Sequence, residues 1–203
     1  MTHKQIKEAF DYFYASNKID YDGRHHKYTL DGITCAGVSS VSEYRPAPFL
    51  KFWAAKMVVE HLQDKREAIA RMTQKEFEAL LLEAKNTHTR KSKDALDIGT
   101  RAHEACEKII KNEPHEITDD IKNCVEQFKD FQSKHKVAWV CTEKIVCSPT
   151  HLVAGRLDSL AFVDGKLSLV DLKTSSRVSE SYFLQCAGYS MCLADMGIKV
   201  DRR

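Results

Sequence analysis

Apolar residues recur at helical spacing through most of the chain before residue 137 and then switch to strand-like runs. Ile6, Phe10, Phe13 and Tyr14 share one face and predict a helix over 4–16. A polar loop through His25-His26 and a short strand or turn near 28–32 follow. Ser42 to Pro48 leads into a helix over about 48–63, with Phe49, Phe52, Trp53, Met57 and Leu62 toward the core. Thr73-Gln-Lys-Glu76 is a capping box opening a helix through Leu82. Further helices are predicted over 94–111 and from Thr118, its N-cap, to about Lys134. The runs 137–147, 152–163 and 166–174 predict an antiparallel meander, followed by a helix over 179–196. A strand begins at 198–200 just as the chain stops, which predicts a short edge strand or a truncated chain. The expected fold is α+β, with a helical N-terminal half (about 1–135) packed on a small mixed sheet (about 136–203), all in one domain over 1–203.

The hairpin signal is sharp enough to set a register. Asp164-Gly165 favours a two-residue type I′ turn, which pairs Val163 with Lys166, Leu160 with Leu169 and, further out, Asp158 with Asp171. Opposed carboxylates destabilise a sheet unless a cation lies between them. Lys173, two residues beyond Asp171, falls on the same face by strand alternation. Two acids and a lysine converging there suit metal-dependent phosphodiester cleavage. The same aspartates could instead form ion pairs with Arg156 and Lys173 on a solvated strand end.

Composition narrows the class. Over 203 residues, 43% hydrophobic and 30% charged content describe an ordinary globular protein rather than a disordered one. A net charge of +2 gives no global field for nucleic acid, so such a partner needs a local patch. The basic segment over 85–93, with Lys85, Arg90, Lys91 and Lys93, is either a solvated loop or that patch. The N-terminus lacks an apolar leader core, and no apolar run approaches a membrane span, so no membrane association and a cytoplasmic location are expected. Seven cysteines without C-x-x-C spacing predict reduced thiols rather than a disulfide framework.

Other residues complete a pattern. Glu143 sits in the strand before the hairpin, either as a third acid or as a solvent-facing residue. His103 lies on a predicted helix with Glu107 one turn later, and Gln185 and Tyr189 share a helix face. In order, His103 in G-T-R-A-H, Glu143, G-R-L-D ending at Asp158, D-L-K-T from Asp171, and Gln185-x-x-x-Tyr189 resemble the RecB-like branch of the PD-(D/E)XK nuclease superfamily. Tyr28-x-x-Asp31-Gly32-Ile33-Thr34, Val38-Ser39-Ser40-Val41, Pro48 and Leu50-x-x-Trp53 look like the leader of phage-type and mitochondrial genome maintenance exonucleases.

The resemblance implies a restriction-endonuclease-like core and a metal-dependent DNA exonuclease acting on single strands or duplex ends in recombination, repair or genome maintenance. A flap or junction endonuclease and a non-catalytic DNA-binding module of the same fold are the alternatives. It makes His103, Asp158, Asp171 and the Leu172 backbone carbonyl ligands of Mg²⁺ or Mn²⁺, with Glu143 a nearby acid. Lys173 would position water and offset transition-state charge, and Gln185 and Tyr189 would support Lys173 or contact DNA. Thr174, Ser175 and Arg177 join the basic segment as DNA contacts, and a recombination or replication protein is a further expected partner in a bacterial or phage-infected cell. Cys186 and Cys192 lack a close third cysteine, so no iron–sulfur cluster is expected.

Overall fold

The computed structural model describes residues 1–42 and 49–203; Pro48 of the leader pattern lies outside them. The described residues divide into two compact units, 1–42 with 102–203, and 49–101. In chain order the elements are α1 (His3–Ser16), β1 (Ile19–Asp22), β2 (Lys27–Leu30), β3 (Ile33–Gly37), α2 (Val38–Ser42), α3 (Phe49–Asp64), α4 (Arg66–Ile69), α5 (Gln74–Lys85) and α6 (Thr87–Lys111). They continue with α7 (Asp119–Lys134), β4 (Val137–Ser148), β5 (Val153–Val163), β6 (Lys166–Val170) and α8 (Glu180–Asp195). The division between units falls within α6.

The smaller unit is helical. Its capping box forms as predicted: Thr73 Oγ1 accepts the Glu76 N–H at 3.4 Å, and the Glu76 carboxylate accepts the Thr73 N–H at 2.7 Å. The basic segment is a correction. It was expected as a loop before a helix starting near 94, yet α6 begins at Thr87, so Arg90, Lys91 and Lys93 are helical. Lysine and arginine are good helix formers, so a stretch without apolar periodicity can still continue a helix. Arg90 pairs with Glu83 at 3.8 Å, and Lys91 Nζ lies 3.2 Å from Met57 Sδ.

The larger unit is a mixed sheet with helices, the α+β arrangement expected. Its N-terminal part is less helical than predicted, because β1, β2 and β3 form an antiparallel meander where a loop and one short strand were expected. Asp31-Gly32 turns β2 into β3 with both residues at positive φ (49° and 82°). That conformation is the one a two-residue primed turn demands. β3 then runs parallel to β5, pairing Ala36 with Val153 and Gly37 with Ala154.

β5 is the spine. Along one edge it pairs with the whole of β4, and along the other it pairs with β3 at Val153–Ala154 and with β6 over 159–163. No described strand pairs with that second edge between these two contacts, over 155–158. The predicted hairpin register holds from Val163–Lys166 to Ser159–Val170, with Asp164 and Gly165 at φ 51° and 80°. β6 stops at Val170 rather than Thr174 because the Leu172 N–H is captured by Asp158 Oδ2 at 2.7 Å, a side-chain acceptor replacing the ladder.

One continuous core joins Ile6, Phe10 and Phe13 of α1 to Leu157 and Leu160 of β5, Leu167 and Leu169 of β6, and Tyr189, Cys192 and Leu193 of α8. Ala102, Ala105 and Cys106 of α6 and Ile121, Val125 and Phe128 of α7 are also buried, and Phe128 stacks on Trp139 of β4 at 5.7 Å. Residues 198–200 form no strand. Instead Ile198 is buried, and Leu169 N–H donates to the Arg202 carbonyl at 3.0 Å beside β6. No helix among the described residues is long and apolar enough to cross a membrane.

Candidate metal centre

Four residues of α6 spaced i, i+3, i+4 and i+7, His103, Cys106, Glu107 and Ile110, face one small cavity. β4 contributes Glu143 and Trp139, β5 contributes Asp158, and Leu172 closes it. Its volume, about 30 Å³, suits an ion with its water rather than an organic ligand. One ligand atom from each of His103, Glu143 and Asp158 lies within 4.8 Å of the other two. His103 Nδ1 is 3.6 Å from Asp158 Oδ2.

The strand holding Glu143 is distorted to present it. The β4–β5 register shifts between Trp139 and Cys141, and Glu143 itself has φ 50°, a left-handed backbone that glutamate adopts only at a cost. It falls between the pairs Thr142–Ser159 and Lys144–Leu157, opposite Asp158. Two acids therefore face each other, with Asp171 near Asp158 and Glu107 near Glu143. Burial pushes the Asp158 carboxyl up from its ordinary range, opposed by His103 and reinforced by Asp171. Burial raises Glu143 too, opposed by Arg156 and reinforced by Asp158 and Glu107.

Two basic side chains offset part of this charge. Arg156 Nε contacts Glu143 Oε2 at 3.0 Å, and Lys173 Nζ contacts Asp171 Oδ2 at 2.5 Å. Of the ion pairs that would make this a plain strand end, the Lys173–Asp171 pair forms, while Arg156 goes to Glu143 instead of an aspartate. Asp171 lies outside the three-residue group, and its Oδ1 is buried without a hydrogen-bond partner. An orphaned carboxylate oxygen beside a cluster of hard oxygen donors and one imidazole fits a divalent cation of the magnesium or manganese kind.

Gln185 and Tyr189 bond to the β5 backbone and to α2. Among the described residues neither forms a hydrogen bond with Lys173. Tyr189, almost fully buried, donates its hydroxyl to the Arg156 carbonyl at 2.9 Å and accepts from Gln185 Nε2 at 3.2 Å, while Gln185 also reaches Ser39 Oγ at 3.4 Å. Tyr189 thus satisfies a carbonyl on the stretch of β5 that the second edge leaves without a strand, just before Asp158. Burial raises its phenol to about 12, so it remains a donor. Gly155 permits the contact: a Cβ there would lie 2.8 Å from Tyr189 Cε1 and 3.1 Å from Val38.

Leu172 contributes its N–H to Asp158, and its carbonyl is the atom the sequence pattern assigned to a metal. Thr174, Ser175 and Arg177 follow in a loop tied to α8: Ser175 donates to the Arg177 carbonyl at 2.9 Å and accepts from the Tyr182 hydroxyl at 2.9 Å. Lys173 Nζ stands 5.3 Å from the Tyr182 ring. Lys85, Arg90, Lys91 and Lys93 belong to the smaller unit. Sequence reading missed Arg156 as the partner of Glu143, a cross-strand relation that becomes visible only with the β4–β5 register. Compared with known protein families the sequence matches no family model, and a comparison with curated proteins finds no match.

Proposed function

We propose that this protein is a metal-dependent deoxyribonuclease with a restriction-endonuclease-like core of the RecB-like PD-(D/E)XK kind, trimming single strands or duplex ends. One observation carries the reading: His103, Glu143 and Asp158 bring ligand atoms within 4.8 Å of one another beside the Asp171–Lys173 pair. Within it, His103, Glu143, Asp158 and the free oxygen of Asp171 would hold Mg²⁺ or Mn²⁺. Such a cation supplies polarisation of a phosphate oxygen and a lowered pKa for water. Lys173 holds a positive charge beside the site through its contact with Asp171, where it can offset the charge that develops on the phosphoryl oxygens. Tyr189 and Gln185 fix the β5 backbone that carries Asp158. Glu107, held by Lys111 at 2.5 Å, closes the acidic side of the cavity.

The test is digestion of 5′- and 3′-labelled single strands with and without Mn²⁺. Asp171→Asn and Lys173→Ala should each lower cleavage by at least ~100-fold, the scale on which transition-state electrostatics act. Mn²⁺ affinity should fall for Asp171→Asn and stay unchanged for Lys173→Ala. Near-normal turnover in both variants would exclude the nuclease reading, and the order in which label is released gives the polarity.

A further inference from the structure

A second cavity, of about 470 Å³, lies between the Asp171–Lys173 loop and α7 and shares Phe128, Val170 and Leu172 with the first. Its volume falls in the range of small-molecule sites, far beyond what an ion needs. Asn123, Gln127 and Phe131 line it from α7, and Lys173, Thr174 and Ser175 line it from the loop. Nothing in the sequence pattern gave α7 a role.

The two walls differ in chemistry. On α7, Phe131 is half-buried and offers a ring, while Asn123 and Gln127 stand four residues apart, with Gln127 Nε2 donating to Asn123 Oδ1 at 3.2 Å. An amide pair holds both donors and acceptors, and each amide can be turned to suit the edge it meets. A ring beside such a pair matches a planar heterocycle with mixed hydrogen-bonding edges. On the loop, Lys173 and the Thr174 hydroxyl match an anion, once a cation bound at Asp171, which also lines the cavity, offsets the carboxylate that pairs with Lys173. One cavity therefore has a base-like wall on α7 and a phosphate-like wall on the loop, and the latter includes Asp171.

We infer that this cavity binds the nucleotide at the cleaved position of the strand, with the base against Phe131 and the Asn123–Gln127 pair and its 5′-phosphate toward Lys173. The assignment rests on the nuclease reading, which it deepens by naming where the substrate's base sits. Stacking is sequence-tolerant because every base has a π-face, and the adaptable amides add no fixed code. Recognition is then of a nucleotide in general, not of one base.

The experiment uses the full chain with Mg²⁺ and three probes: dAMP, dTMP and deoxyadenosine. Cys124 also lines the cavity, so its alkylation by iodoacetamide, mapped by mass spectrometry, reports occupancy without any cleavage. Both nucleotides should protect Cys124 with affinities within a few-fold of each other. Phe131→Ala should weaken both by about tenfold or more, the scale of a lost base–aromatic stack. Gln127→Ala, at an exposed position that tolerates change, should weaken both less, and Glu126→Ala outside the cavity should do nothing. Lys173→Ala should reduce dAMP binding and leave deoxyadenosine binding unchanged. Nucleotides that fail to protect Cys124, or Phe131→Ala and Gln127→Ala variants that bind as wild type does, would overturn the inference. Protection that depends on Phe131 in a chain that cuts no DNA would keep the nucleotide site and reject the nuclease reading; cleavage with α7-independent binding would do the reverse.

Discussion

Replacing Asp158 by Asn should leave the metal-free protein melting at or above wild type and reverse that order when Mn²⁺ is added. Asn is nearly isosteric with Asp and keeps an oxygen to accept the Leu172 N–H, now at 2.7 Å, so the backbone tether survives. What disappears is a carboxylate whose ionisation burial opposes and Asp171 opposes further; the 3.6 Å contact with His103 offsets only part. With metal, linkage decides the outcome. A ligand at 100 times its Kd stabilises by about 2.7 kcal/mol, which for a chain of this size raises Tm by roughly 5–10 °C. If the loss of one of three grouped ligands weakens binding about 100-fold, the same Mn²⁺ concentration equals the variant's Kd. The gain then drops to about 0.4 kcal/mol, or ~1–2 °C. Differential scanning calorimetry in EDTA and in excess Mn²⁺ measures both, and resolves the two units if they melt separately. Equal Mn²⁺-induced shifts in the two proteins would refute Asp158 as a ligand.

Other perturbations probe the supports. Gly155→Ala should cost about 1–3 kcal/mol by overpacking and should lower cleavage as well, since its Cβ meets Tyr189 at 2.8 Å next to Asp158; a fully active, fully stable variant would dissociate Tyr189 from the site. Ser148 donates to Asp195 at 2.6 Å and holds its carboxyl below the ordinary range. A depressed acid contributes stability above its unfolded pKa that is lost as pH falls through the folded one, so Ser148→Ala should cost about 1 kcal/mol at neutral pH and flatten the acid limb of a Tm–pH curve. Changing Arg90, Lys91 and Lys93 to Ala should lower the salt slope of single-strand binding by up to about 2, and an unchanged slope would return these three residues to a solvated helix face.

How much of this was legible before folding depended on range. Asp164-Gly165 was legible because a two-residue turn fixes its own register, and Ser159–Val170 pairs as counted. Asp31-Gly32 carried the same signal and went unused because the strands beside it are short, and β1 alternates over only four residues. The parallel β3–β5 contact rests on two residue pairs distant in sequence, which no local pattern encodes. For the site, the resemblance grouped His103, Asp158 and Asp171 as ligands with Glu143 nearby, whereas strand pairing alone offered only the two aspartates. In the structure the group with ligand atoms within 4.8 Å is His103, Glu143 and Asp158, so Glu143 stands where Asp171 was expected. Glu143 joins through a positive φ and a register shift, and neither has a sequence signature in T-E-K.

On the nuclease reading proposed above, the charges around this group would make DNA binding by a near-neutral chain depend on the bound metal. Glu143, Asp158 and Asp171 carry three negative charges when ionised, and Arg156 and Lys173 answer two of them directly. Among these five side chains one negative charge remains, which repels a phosphodiester. A divalent cation turns that remainder positive by one, the complement of a single phosphodiester. Two local features point the same way: a left-handed Glu143 and a buried, orphaned Asp171 oxygen both lie at this place, and that oxygen is costly unless a cation pairs with it. Wild type should therefore bind an uncleavable single strand more tightly with Ca²⁺ than with EDTA. Asp158→Asn, whose site is neutral without metal, should bind that strand in EDTA more tightly than wild type does. Fluorescence anisotropy measures both, and an Asp158→Asn variant no tighter than wild type in EDTA would show that DNA does not approach these carboxylates.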